Sequence, residues 1–396
     1  MMTLGSRREV VAALVDAYWA AKGKERSEVI NRLVAVAGYN RKYAIHLLRH
    51  PPGPRQVHRR HRKRKYDGGV EHALVQVWRA ANCICAKRLI PNLADYVDAL
   101  ERFGELHLDP STRELLLGMS ISTADRILHP YRVGRRGRGL ATTKPGTLLK
   151  QQIPVRTFAD WDDSRPGFVE IDLVAHCDQS AEGQYLNSLT MTDIRTAWTE
   201  CVGLLNKSQR EAFRAIVTGR KRFPFPLLGI DSDNGSEFIN AHLTQYCTDE
   251  RLSFTRSREY RKNDQAHVEQ KNWSVVRQFV GYDRYEGAQS LQRLDDLYDA
   301  LREYVNHFQP VLKLVSKQRV GAKLHKRYDR ARTPYQRVLD CEEVSQSAKE
   351  QLRQRHLRLN PAALLRDIER LQSRLWARGR LNSHLRQRSE ESQVLT

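Results

Sequence analysis

Five strand-like runs crowd into residues 168–255, and they constrain this chain more than any other feature. Residues 168–174 read Phe-Val-Glu-Ile-Asp-Leu-Val, alternating with the period of a β-strand. Residues 185–193 and 196–202 follow as second and third strands. The spacing then predicts a helix over 208–218, a fourth strand over 227–233, a helix over 243–250, a short fifth strand over 252–255 and a long helix over 264–281. Three antiparallel strands followed by alternating strand and helix specify a central α/β core built on a five-stranded mixed sheet.

The flanks have a different texture. Residues 8–21 carry Val11, Leu14, Val15 and Trp19 at helical spacing. Gly23 interrupts, Ser27 reads as an N-cap for a helix over 28–36, Gly38 breaks it, and Asn40 opens a third helix over 41–50. This is the layout of a helix-turn-helix. Its last helix presents Arg41, Lys42, His46 and Arg49 outward, with Tyr43, Ile45 and Leu47 or Leu48 inward. Pro51, Pro52 and Pro54 then exclude a continuous helix. Seven of the eleven residues over 55–65 are Lys or Arg, Arg59, Arg60, Arg62, Lys63 and Arg64 among them. Such a stretch is either an extended arm lying on phosphates or in a minor groove, or a solvated linker. Residues 115–128 resemble a second helix-turn-helix, capped by Ser120 or Ser122, with Thr123 and Arg126 exposed. The expected organisation is therefore a helix-turn-helix unit over 1–50, a basic linker over 51–68, a second helical DNA-binding unit over 69–131, a basic linker over 132–160, the α/β core over 161–310, and a basic, mainly helical C-terminal region over 311–396.

Charge narrows the partner. The chain has 396 residues and a formal net charge of +21, which suits a polyanion, most commonly nucleic acid. No stretch has the length and apolarity of a membrane span, and the first residues have no apolar signal core, so a cytoplasmic, bacterial-type, nucleoid-associated protein is expected. Six scattered cysteines form no CxxC pair and no zinc spacing, so reduced thiols are expected. Beyond the core, residues 291–308 read as an amphipathic helix. Residues 313–332 carry eight Lys or Arg and suit a DNA grip outside the cleft, with no alternation that clearly makes a β-barrel. Residues 334–358 look helical and Asn360-Pro361 starts another helix. Leu364, Ile368, Leu371 and Leu375 recur at heptad-like intervals, either as a short coiled-coil contact between protomers or as an ordinary packed face. A flexible tail is expected from Arg378.

Acidic residues stand at three telling places. Asp172 ends the first strand, Asp233 precedes Asn234-Gly235 after the fourth, and Glu269 lies on the long helix. Thirty-five residues separate Asp233 from Glu269. In this arrangement residues 165–315 resemble the retroviral-type integrase and insertion-sequence transposase superfamily, whose active site is an Asp, Asp, Glu triad on a ribonuclease-H-like core. Gln265 and Asn272 match positions where family members often carry Gln and Asn. The resemblance implies that Asp172, Asp233 and Glu269 are the catalytic and metal-binding residues, with two Mg²⁺ or Mn²⁺ ions; Mg²⁺ favours carboxylate oxygens and water. Asp172 would bridge both ions. Gln265, Glu269 and Asn272 share one helical face, so Gln265 and Asn272 would touch DNA or orient a carboxylate, and Lys262 and Lys271 are candidate phosphate contacts.

Neighbouring groups compete for these roles. Asp231 shares strand parity with Asp233, and the Asn-Gly neighbour favours Asp233. Glu170 shares a face with Asp172 and reads as a salt-bridged strand carboxylate. His176 reads as a structural histidine ahead of a metal ligand, Asp193 as a turn residue, and Asp264 as part of a helix cap. The activity implied is binding of element ends followed by hydrolysis and strand transfer into target DNA, by a homodimer or higher multimer on double-stranded DNA, without a membrane or nucleotide cofactor. A non-catalytic DNA-binding regulator and a ribonuclease-H-like nuclease without strand transfer are the competing readings.

Overall fold

The computed structural model describes residues 2–53, 65–132, 165–178, 180–233, 235–257 and 266–394, with side chains omitted at Ala266 and from residue 378 onward. The chain divides into two compact units, residues 1–65 and 66–396.

The first unit holds three helices, α1 (Leu4–Ala20), α2 (Gly23–Ala37) and α3 (Arg41–Arg49). Thr3 caps α1 by accepting from the Ser6 amide at 3.2 Å, and Asn40 caps α3 by accepting from Lys42 at 3.0 Å. Val11 and Tyr18 meet Val29, Ile30, Leu33, Ala44, Leu47 and Leu48 in one core. Two local expectations change. Helix α2 begins before Ser27, whose hydroxyl accepts from Arg41 Nη2 at 2.6 Å instead of capping. Tyr43 is 51% exposed, because Ala44, one turn before Leu47 and Leu48, takes the inward position.

The second unit opens with α4 (Gly68–Ala80), α5 (Ala86–Leu89), α6 (Leu93–Arg102), α7 (Pro110–Leu117) and α8 (Ile121–Leu128). The core follows as β1 (Phe168–Ala175), β2 (Asn187–Asp193), β3 (Thr199–Leu204), α9 (Gln209–Arg220), β4 (Gly229–Ser232), α10 (Ala241–Asp249), β5 (Ser253–Arg256) and α11 (Ala266–Lys271). Instead of one long α-helix, α11 passes into a π-helical stretch, Asn272–Arg277. Next come α12 (Gly287–Phe308), the strands β6 (Leu314–Val320) and β7 (Lys323–Tyr328), then α13 (Pro334–Asp340), α14 (Gln346–Leu357) and α15 (Pro361–Val394).

The sheet order is β3-β2-β1-β4-β5. The β1–β2 and β2–β3 pairs are antiparallel, and β1–β4 and β4–β5 are parallel. This is the ribonuclease-H-like layout expected from the order of the runs. Period-two alternation sends β1 residues to two faces. Val169 and Ile171 join Leu189, Met191 and Val202 in a core roofed by α9 and α10. Glu170, Asp172 and Val174 face the other way, where Val174 meets α12.

Residues 66–131 bury against that same second core, with Leu74, Trp78, Tyr96 and Leu116 packed among residues of α12 and α15. Polar bonds fasten them: Tyr304 donates to the Ala80 carbonyl at 2.7 Å, Gln309 to Ala81 at 3.1 Å, and Asn92 to Ala331 at 3.0 Å. On α15, Ile368 and Leu375 are fully buried in this core, so the heptad-like spacing records an intramolecular packing face. The helix continues to Val394 through the segment expected to be a flexible tail. Among the described residues no helix is long and apolar enough to cross a membrane.

Candidate active site

The parallel register fixes the first two carboxylates. Ile171 pairs with Ser232, so Asp172 and Asp233 are the next residues on adjacent strands about 4.8 Å apart. Asp233 follows the last residue of β4, whereas Asp172 does not end its strand: β1 runs on to Ala175, and Asp172 is the first β1 residue past the parallel ladder with β4, at the end of that ladder where α/β folds open a crevice. Glu269 projects from α11, which packs over β1 and β2. The three charges sense one another. Burial, then the Asp233 carboxylate, pushes the Asp172 carboxyl up to about 8, with Glu269 adding to the effect. Bonds from the Leu173 amide at 2.8 Å and from Asn272 Nδ2 at 2.6 Å work against that rise. Asp233 is raised to about 6 by burial and by the nearby Glu237 carboxylate. It accepts from the Gly235 amide at 2.9 Å. A Cβ at Gly235 would stand 2.8 Å from Asp233 Oδ1 and 2.8 Å from the Glu237 carboxyl, so a larger residue there would push the Asp233 and Glu237 carboxylates aside.

Glu170 has a task that strand parity did not reveal. Its side chain is fully buried, and Oε2 accepts the backbone N–H groups of His267 and Val268, each at 3.0 Å. These are orphan donors at the start of α11. A carboxylate on β1 therefore caps the helix that carries Glu269, in favourable alignment with the helix dipole. The other neighbours are structural. Asp231 accepts from Thr255 Oγ1 at 2.6 Å. Asp193 binds the Gly167 amide at 2.8 Å and both the amide and hydroxyl of Thr196 at 2.6 Å, closing a turn. His176 bonds Ser188 Oγ at 2.6 Å, and burial lowers its imidazole to about 3.

The proposed DNA-contacting residues divide. Lys42, His46 and Arg126 are exposed. Arg41 is exposed but tied to Ser27 and Asn31, and Arg49 Nε donates to the Tyr18 hydroxyl at 3.3 Å. Thr123 is half-buried, and its hydroxyl lies 3.0 Å from Ser120 Oγ inside the α8 cap. Asn272 Nδ2 donates to Asp172 Oδ2. Lys271 is buried, contrary to a phosphate contact: two residues beyond Glu269 the helix has turned its side chain inward. Burial, then repulsion from Arg88, pushes its ammonium down to about 7. Arg59, Arg60, Arg62, Lys63, Arg64, Lys262, Asp264 and Gln265 lie outside the described residues.

The donor set is chemically suited to a hard cation. It offers carboxylate oxygens that repel one another, and beside them Asn272 Oδ1, which is buried without a hydrogen-bond partner. As the side chains lie, no three His, Cys, Asp or Glu among the described residues are close enough to hold one ion. A cleft of about 1000 Å³ lined by Trp198, Phe223, Arg302 and Arg355 lies elsewhere, between the end of α9, α12 and α14. The three carboxylates are not among the residues that line it.

No protein-family model matches the sequence. Over 331 residues, 83% of this chain and 93% of its relative, the sequence is 42% identical to the uncharacterized protein y4rM of Sinorhizobium fredii (strain NBRC 101917 / NGR234). The chain belongs to the y4rM family. Similar solved structures include the HTLV-2 integrase catalytic core domain in complex with magnesium, at 13% identity and a TM-score of 0.29, covering 38% of this chain and 93% of that one. The simian T-cell lymphotropic virus intasome in complex with PP2A regulatory subunit B56 gamma has a TM-score of 0.30 at 13% identity, covering 54% and 69%. The catalytic core domain of BIV integrase has a TM-score of 0.27 at 14% identity, covering 43% and 91%.

Proposed function

We propose that this y4rM-family protein is a DNA transposase or integrase that uses Asp172, Asp233 and Glu269 to cut and join phosphodiester bonds. The observation that carries the reading is the β1–β4 register, which sets Asp172 beside Asp233, with α11 and its Glu269 packed over β1 and β2, so that the carboxylates repel one another. Such mutual repulsion is costly for stability and is relieved by a bound cation. Two Mg²⁺ or Mn²⁺ ions held there would supply an activated water and stabilise the leaving 3′-oxygen. Asp172, Asp233 and Glu269 would hold these ions through their carboxylate oxygens. Asn272 holds Asp172 in one rotamer, the Gly235 amide holds Asp233, and Glu170 fixes the start of the helix bearing Glu269. This preorganisation spares the site from reordering during the reaction.

The reaction proposed is hydrolysis exposing a 3′-hydroxyl at an element end, followed by attack of that hydroxyl on target DNA. Two ends must be handled together, so a dimer or higher multimer on double-stranded DNA is part of the proposal. The exposed Lys42, His46 and Arg126 would supply further DNA contacts. The test is incubation with duplex DNA carrying the ends that flank the gene, with Mg²⁺ or Mn²⁺. Nicking and joining by the wild type, lost in Asp233→Asn, are expected. No cleavage by the wild type, or undiminished cleavage by the variant, refutes the assignment. Cleavage without joining would favour a nuclease.

A further inference from the structure

We infer that the β6–β7 hairpin is a rigidly mounted ribbon that enters a groove of duplex DNA. This inference rests on the reading of the chain as a DNA-processing protein and adds a surface that the carboxylate site does not include.

Among the described residues the hairpin is anchored only at its base. Val311 and Arg332 exchange backbone bonds of 2.8 and 3.2 Å. Asp329 accepts from the Lys313 amide at 2.7 Å and from Arg337 at 2.7 Å. Lys313 Nζ donates to the carbonyls of Ile194 at 2.6 Å and Arg195 at 2.9 Å, tying the base to the β2–β3 turn. Beyond that base, every residue from Leu314 to Tyr328 is exposed except the half-buried Ser316. Leu314, Val315, Val320, Leu324 and Tyr328 are each at least 44% exposed. A lone two-stranded ribbon is marginal in water, and this one has no core to offset that.

Its charge adds to the cost. Residues 314–328 hold Lys317, Arg319, Lys323, Lys326 and Arg327 and no acid. Lys317 stands directly opposite Lys326, a like-charge pair that destabilises the ladder. By strand parity Lys317, Arg319 and Lys326 share one face, while Lys323 and Arg327 share the other with Gln318 and His325. Both faces are therefore cationic, as a ribbon flanked by phosphates on each side requires. A two-stranded ribbon fits the major groove, about 12 Å wide. Six paired positions at about 3.4 Å each make an arm roughly 20 Å long. The tip, Val320-Gly321-Ala322-Lys323, carries no aromatic anchor of the kind that seats a protein in a lipid surface, and the one aromatic residue, Tyr328, is at the base.

The test is fluorescence anisotropy of the full chain with a labelled duplex of unrelated sequence, in EDTA, across 50–200 mM salt. Replacing Lys317, Arg319 and Lys326 by Gln should lower the log–log salt slope by about 0.9 for each phosphate no longer neutralised, about 2.7 in all. Affinity should fall at least tenfold at about 0.1 M salt, on the same scaling. The charge-retaining Lys317→Arg, Lys326→Arg chain should bind as the wild type does, and because the substituted side chains touch no core, all variants should melt together. An unchanged slope and affinity in the Gln variant overturns the inference. So does a loss confined to binding of anionic phosphatidylserine vesicles. A chain that binds through the ribbon yet never cleaves DNA sinks the proposed function alone; one that cleaves with unaltered DNA affinity in the Gln variant sinks the ribbon alone.

Discussion

Glu170→Ala isolates the device that holds the candidate active site together. The wild-type carboxylate accepts two backbone N–H groups at 3.0 Å from a fully buried position. Charge-assisted hydrogen bonds contribute about 1.5–3 kcal/mol each. Truncation also removes an anion from a helix N-terminus, a favourable alignment of roughly 0.3–1 kcal/mol. Some of this returns as the freed amides find water, so a net loss of about 3 kcal/mol is expected. For a unit of this size that corresponds to a fall of about 4 °C in Tm. Glu170→Gln keeps an acceptor oxygen and loses only charge, so its cost should be near 1 kcal/mol. Thermal melting of the three proteins gives the order wild type, Gln, Ala. Glu269 lies one residue beyond the capped amides, so metal-dependent DNA cleavage should fall at least tenfold in the Ala variant while DNA affinity in EDTA stays unchanged. An Ala variant that melts within 1 °C of the wild type and cleaves normally would refute the capping role.

Other consequences are as specific. Gly235→Ala should displace the Asp233 carboxylate, because its Cβ would lie 2.8 Å from Oδ1; cleavage assays should show at least a tenfold loss with about 1–2 kcal/mol of stability. Ile368→Ala should cost about 2–4 kcal/mol by opening a cavity between α15 and α12, while light scattering finds the oligomeric state unchanged. His356 is lowered to about 4 by burial, then by Arg102. The unfolded chain takes up this proton near pH 6.5 and the folded chain only near 4, so its contribution is whole above 6.5 and is lost as the pH falls towards 4. In denaturant titrations between those limits, the slope of stability against pH should differ between His356→Phe and the wild type by about 1.4 kcal/mol per pH unit, and an identical slope would contradict a neutral buried imidazole.

The sheet is legible because period-two alternation and strand order survive in the sequence: Val169 and Ile171 enter one core and Glu170 and Asp172 the opposite face, as the pattern requires. Asp233 is legible because it follows the fourth run directly, at Asn-Gly; Asp172 is legible by its strand parity, although β1 continues past it to Ala175. What Glu170 does is not, since parity says which face a residue takes and nothing about which helix end arrives there 97 residues later. Lys271 misleads because a charged residue on a helix reads as a solvated one, whereas α11 turns it against the sheet. The β6–β7 hairpin escapes the sequence because both faces are polar and basic, so no apolar alternation marks it. The local signal is Gly321-Ala322 between two charged runs, with Gly321 at φ +59° as a two-residue hairpin turn demands. Heptad-like leucines on α15 carry no mark that says whether their partner is another chain or, as here, α12.

The central claim is that Asp172, Asp233 and Glu269 together hold divalent cations for phosphodiester chemistry. Titrating the full chain with Mn²⁺ alone, read by electron paramagnetic resonance, tests it without any knowledge of the DNA. The account predicts saturable binding of two ions per chain by the wild type, weakened at least tenfold in Asp172→Asn with the fold intact by circular dichroism. A wild type that binds no Mn²⁺ at millimolar concentration, or an Asp172→Asn protein that binds it equally well, would contradict the account.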